Sequence, residues 1–134
     1  MLATLLLTFS GQFAGPGVAI TPRRERTCRE IFVDVNLMAS TFRLHQGGYI
    51  CQDLQATYDS YQMSIVDGDL FSGSQKVGRV TTEALEISYE NDAEGFTYGL
   101  RLRPTAAGGL SYEETWREGE KEALRVFGKL DRLN

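Results

Sequence analysis

Several things are scarce in this chain of 134 residues. It has one histidine, His45, and two cysteines, Cys28 and Cys51. Two cysteines and a lone histidine do not make a structural zinc site, so no metal is expected. No Ser/His/Asp pattern is present, and no second inward acid is evident to pair with another carboxylate for acid–base work. Gly47-Gly48 and Gly108-Gly109 lack a surrounding strand–Gly-rich–helix unit. They read as bulge or turn positions rather than phosphate loops. With nucleophile, base and oxyanion donors unfilled, no enzyme and no cofactor are expected.

Positive charge is also short. Lys and Arg number 14 against 18 Asp and Glu, a formal net charge of −4. A nucleic-acid binder carries the opposite balance, so nucleic acid is not an expected partner. The one apolar run, Leu2 to Phe9 (LATLLLTF), falls well below the ~20 residues of a membrane-spanning helix. No Lys or Arg precedes it, as a signal peptide would require. It reads as a β-strand, the alternative being a signal remnant ending near Gly17-Val18-Ala19.

What is present points to β structure. The length suits one domain, residues 1–134, with a single core. A hydrophobic fraction of 42% is that of a globular chain, and 14 glycines, six tyrosines and seven phenylalanines favour strands with many turns.

The clearest unit is a hairpin from Cys28 to Cys51. Ile31, Val33, Val35 and Leu37 alternate with Glu30, Asp34 and Asn36, a period of two. A turn at Ala39-Ser40 leads back through Phe42 and Leu44. Registering the strands on that turn sets Leu37 opposite Phe42 and Val35 opposite Leu44, all on one buried face. The same register brings Cys28 opposite Cys51, which predicts a cross-strand disulfide on the face away from the core. A disulfide implies an oxidising compartment, secreted or periplasmic. Two free thiols in the cytoplasm are the alternative.

Similar alternation continues along Tyr61–Ile65 to a tight turn at Asp67-Gly68. It resumes in Leu85–Tyr89, Phe96–Leu102, Leu110–Trp116 and Leu124–Leu130. Thr115 to Val126 is rich in Glu, Lys and Arg, but Gly119 and the flanking strand pattern argue for a hairpin there, not a helix. The expected fold is all-β: an antiparallel up-and-down meander of about nine strands that closes into a barrel or half-barrel. Closure pairs the first strand with the last and removes exposed edges. A β-sandwich is the alternative.

Gly11-Gln12-Phe13 near the start of the chain, with Arg125 or Arg132 near its end, resembles the lipocalin-like (calycin) barrels. These typically pack an Arg on the Trp of a Gly-x-Trp motif; here Phe stands for the Trp. The resemblance spans nearly the whole chain and implies an apolar ligand in the barrel mouth.

Within that frame Glu114 stands out, because it lies on the apolar parity of its strand between Tyr112 and Trp116. The simplest register of the two preceding strands faces it with Tyr98. An inward carboxylate needs a partner. Either it bonds Tyr98, an arginine or water and stabilises the interior, or it marks a cavity for an amphipathic or cationic molecule. The ligand-binding set is then Phe96, Tyr98, Leu100, Tyr112, Glu114 and Trp116. Other features are blander. Arg23, Arg24, Arg26 and Arg29 surround a solvated loop, and His45, Phe32 and Tyr49 fall on the outer face. The expected function is non-enzymatic binding of a small apolar or amphipathic ligand. A secreted interaction or inhibitor module with a solid barrel, meeting a protein partner through loops and outer face, is the alternative.

Overall fold

The computed structural model describes residues 7–91 and 93–133. Its strands in chain order are β1 (Gly11–Thr21), β2 (Arg24–Leu37), β3 (Thr41–Cys51), β4 (Leu54–Tyr58), β5 (Tyr61–Val66) and β6 (Asp69–Ser72). They continue as β7 (Gln75–Val80), β8 (Leu85–Asn91), β9 (Phe96–Pro104), β10 (Leu110–Glu118) and β11 (Lys121–Leu133). All pair antiparallel in one sheet, ordered β2-β1-β11-β10-β9-β8-β7-β6-β5-β3-β4. A further pairing of β2 with β3 joins the two ends, so the strands form a barrel-like ring. The fold is the all-β antiparallel meander that the alternation implies. Thr115–Val126 is a hairpin, as expected.

The first strand to pair with the last is β1, through Gln12↔Leu133 to Ile20↔Arg125. The expected first strand, Leu2–Phe9, lies largely outside the described residues, and Leu7 to Phe9 form a helical turn instead of a strand. β1 itself holds Gly11, Gly15, Pro16 and Gly17, a composition that resembles a loop. The sheet accommodates Pro16 at a bulge, where no ladder donor is required. Gly17 sits where a Cβ would lie 2.3 Å from Ile31 Cδ1 and 2.4 Å from the Phe127 carbonyl, so only glycine lets the three strands approach.

β4 and β5 follow β3 in a single register, Gly47↔Tyr58 and Leu44↔Tyr61, interrupted only at Asp59-Ser60. At the next turn Asp67 and Gly68 both have positive φ, 51° and 83°. That is the twist a two-residue hairpin requires.

In the β2–β3 hairpin the expected pairs Leu37↔Phe42, Val35↔Leu44 and Cys28↔Cys51 all form. Between them the register shifts twice. Val35↔Leu44 is followed by Asp34↔Gln46, which leaves His45 as an extra residue, and Arg29 is extra on β2. The two offsets cancel, so the cysteines still meet and are bonded. Each bulge also reverses which face the following residues occupy. Cys28 is therefore fully buried in the core, not on the outer face, and Tyr49 is buried where an outer position was expected. His45 remains exposed. Closing a loop of sequence separation 23, the bond stabilises the fold by about 3 kcal/mol in the chain-entropy model. It fits an oxidising environment.

One end of the ring is sealed. Phe9 and Phe13 are fully buried there. The Arg132 guanidinium lies 4.7 Å from the centroid of the Phe13 ring. It also donates to four backbone carbonyls: Ser10 at 2.5 Å, Leu7 at 3.0 Å, Thr8 at 3.2 Å and Gly108 at 3.3 Å. A Cβ on Gly11 would lie 2.7 Å from Arg132 Nη1, and its φ of +140° also favours glycine. Of the two arginines weighed for this contact, Arg132 makes it. Arg125 pairs with Glu122 and Glu113 instead.

Candidate ligand cavity at the ring mouth

The opposite end carries the β1–β2, β3–β4, β6–β7, β8–β9 and β10–β11 turns. Here strands of alternating parity bring their last inward side chains to a common rim. A cavity of about 380 Å³ lies among them. Its aromatic walls are Tyr58, Tyr61, Tyr89, Phe96, Tyr98 and Trp116. The rings support one another: Tyr98 and Trp116 have centroids 4.9 Å apart, and Phe96 meets Trp116 edge-on at 6.2 Å. Asp59 and Glu94 add carboxylates at the rim, and both are exposed. Tyr89, 41% exposed, marks the opening to solvent.

Below the cavity lies a layer of buried side chains, Glu114, Tyr112 and Leu100 among them. Glu114 is fully buried. Its Oε1 accepts from the Tyr112 hydroxyl at 2.5 Å and its Oε2 from Trp116 Nε1 at 2.6 Å. Tyr58 meets Tyr112, hydroxyl to hydroxyl, at 3.4 Å. Side chains at i and i+2 of a strand share a face, so β10 supplies both donors to its own carboxylate. Burial pushes the Glu114 carboxyl up to about 7, against the lowering effect of the Trp116 hydrogen bond. Burial likewise pushes the Tyr98 and Tyr112 phenols well up, and Tyr61 to about 12. For Tyr49 the rise comes from burial first and the Glu114 charge second.

The expected set of ligand residues thus separates into two layers. Phe96, Tyr98 and Trp116 line the cavity. Tyr112, Glu114 and Leu100 do not; all three are packed in the interior. Glu114 faces Leu100 across the β9–β10 ladder, and Tyr98 faces Trp116. The expected Glu114–Tyr98 register is corrected by two residues. The loop closes by Thr105 N donating to the Gly109 carbonyl at 3.0 Å, which makes Pro104 and Leu110 the last pair.

Sequence reasoning missed the opposite wall. Tyr58 and Tyr61 belong to β4 and β5, and β4 was not read as a strand. All six tyrosines of the chain lie at this end or directly beneath it. That clustering is a signal that parity alone did not expose.

Of the arginines near the β1–β2 turn, Arg29 lines a shallow pocket of about 280 Å³ with Thr27, Ile50, Cys51 and Gln52. Arg24 pairs with Asp53 at 3.1 Å, and Arg26 reaches Thr21 Oγ1 at 3.4 Å. Among the described residues no three His, Cys, Asp or Glu side chains are grouped to hold a metal. None of their helices is long and apolar enough to cross a membrane. No family model, curated protein or solved structure matches the chain.

Proposed function

We propose that this chain is a non-enzymatic binding protein that holds a small amphipathic molecule at the mouth of a lipocalin-like barrel, in a secreted or periplasmic setting. The observation that carries the reading is the aromatic-walled cavity of about 380 Å³ at one end of the ring. Its size falls within the range of small-molecule sites, ~300–1,000 Å³. The guanidinium of Arg132 over Phe13, beside Gly11, supports the lipocalin-like assignment. Because Glu114 is already paired with protein donors, the ligand rests on Tyr98 and Trp116 and does not reach the carboxylate.

Trp116 is the only tryptophan, so its fluorescence reports on this wall directly. Titration with a panel of lipids, tetrapyrroles and aromatic amines is expected to give a saturable change with at least one. Absence of a saturable response across the panel overturns the reading. The pairing of buried Glu114 with protein donors favours a second possibility, a module that meets a protein partner through loops and outer face. Capture of a defined partner that is lost on changing Arg23 and Arg24, with no small-molecule response, would select it.

A further inference from the structure

The mouth cavity has a chemical bias beyond its aromatic walls. Resting on the binding reading above, we infer that it selects an organic cation: a protonated amine on an apolar body, with the ammonium against the tyrosine and tryptophan faces.

Three observations converge. The lining includes six aromatic side chains, and aromatic faces attract cations through the ring quadrupole. The charged residues of the lining are both acids, Asp59 and Glu94. No Lys, Arg or His is among the described residues that line it, although Lys and Arg number 14 in the chain. An anion entering here would meet rim carboxylates, with no base to offset them. Independently, the Tyr61 hydroxyl is buried beside the Tyr98 phenol and makes no hydrogen bond of full geometry. Unsatisfied buried hydroxyls are uncommon, and a ligand donor is one way to complete them. Tyr61 is part of the cavity wall, and its oxygen can accept from an ammonium N–H.

The neighbouring buried carboxylate strengthens the bias without touching the ligand. Glu114 lies one layer down, held by Tyr112 and Trp116. No base among the described residues forms an ion pair with it. When ionised it adds a negative potential behind the Trp116 wall, in a medium of lower dielectric than water.

The test uses one apolar body with three heads. 4-Phenylbutylamine, 4-phenylbutanol and 4-phenylbutyl sulfonate are titrated into the whole chain at neutral pH, read by Trp116 fluorescence and by calorimetry. The ammonium is expected to bind about tenfold tighter than the alcohol, and the sulfonate weakest. Raising salt is expected to weaken the ammonium and leave the alcohol unchanged. The double variant D59N/E94Q, at exposed positions, is expected to lose severalfold for the ammonium alone. Tyr61→Phe is expected to lose about tenfold for the ammonium, as hydrogen bonds to charged groups are the stronger ones. Equal affinity for amine and alcohol, or preference for the sulfonate, overturns the cation inference and leaves the binding reading standing. If none of the three binds while a lipid or tetrapyrrole saturates the Trp116 signal, the cation inference alone fails. If nothing saturates it, both fail.

Discussion

The two ends of this ring are built from the same kind of sheet and treat polar groups in opposite ways. At the sealed end, Arg132 spreads its donors over four carbonyls and its face over Phe13. At the mouth, the buried Tyr61 hydroxyl lies beside the Tyr98 phenol without a hydrogen bond of full geometry, on the wall of the cavity. Stability and binding should therefore respond separately to changes at the two ends.

The largest effect is expected at the sealed end. Phe13→Ala removes a fully buried ring and should cost about 4 kcal/mol in urea denaturation. Arg132→Ala should cost less, about 2 kcal/mol, since it loses exposed hydrogen bonds and the ring contact. A loss at Phe13 below ~1 kcal/mol would show that this end is not the structural anchor.

The next effect lies between the ends, at Glu114. Its carboxyl titrates at about 7 in the fold against an ordinary value of 4.5. Between those values the folded state binds a proton that the unfolded state has released. Stability is therefore fully present below pH 4.5, falls as pH rises, and levels off above about pH 7. The loss is about 3 kcal/mol. Denaturation midpoints measured from pH 4 to 8 should show this fall, and Glu114→Gln should remove most of it. A flat profile in the parent chain would mean that Glu114 is solvated.

The smallest effect is expected at the mouth. Tyr61→Phe deletes a buried hydroxyl that makes no hydrogen bond of full geometry, and should leave stability within about 1 kcal/mol of the parent. A loss of 2 kcal/mol or more would place the mouth in the same structural class as the sealed end.

The contrast was only partly legible in the sequence. Alternation revealed β2, β3, β5 and β8 to β11, because each has one apolar face and a marked turn. β1 was not legible, since Gly15-Pro16-Gly17 reads as a loop until the close approach to Phe127 and Ile31 is seen. β4 was hidden because Leu54, Ala56 and Tyr58 make a short, weak pattern. Parity also fails silently at bulges. His45 and Arg29 each shift the count by one, which returned the cysteine pairing correctly and the cysteine face incorrectly. Glu114 was legible as an inward carboxylate, since no bulge precedes it on β10. Its partners were not, because they lie on the same strand rather than across the ladder.

The clamp at Arg132 has a mechanical meaning too. β1 and β11 are antiparallel, and Gln12 is paired with Leu133. Tension applied between the start of β1 and the end of β11 would load their hydrogen bonds one pair at a time, as in a zipper, and not all together in shear. Such geometry resists force weakly unless its first link is strong. Arg132 sits at that first link, bonded to Leu7, Thr8 and Ser10 across the seam. It is the latch of the seam, and the force at which the ring begins to open is set there.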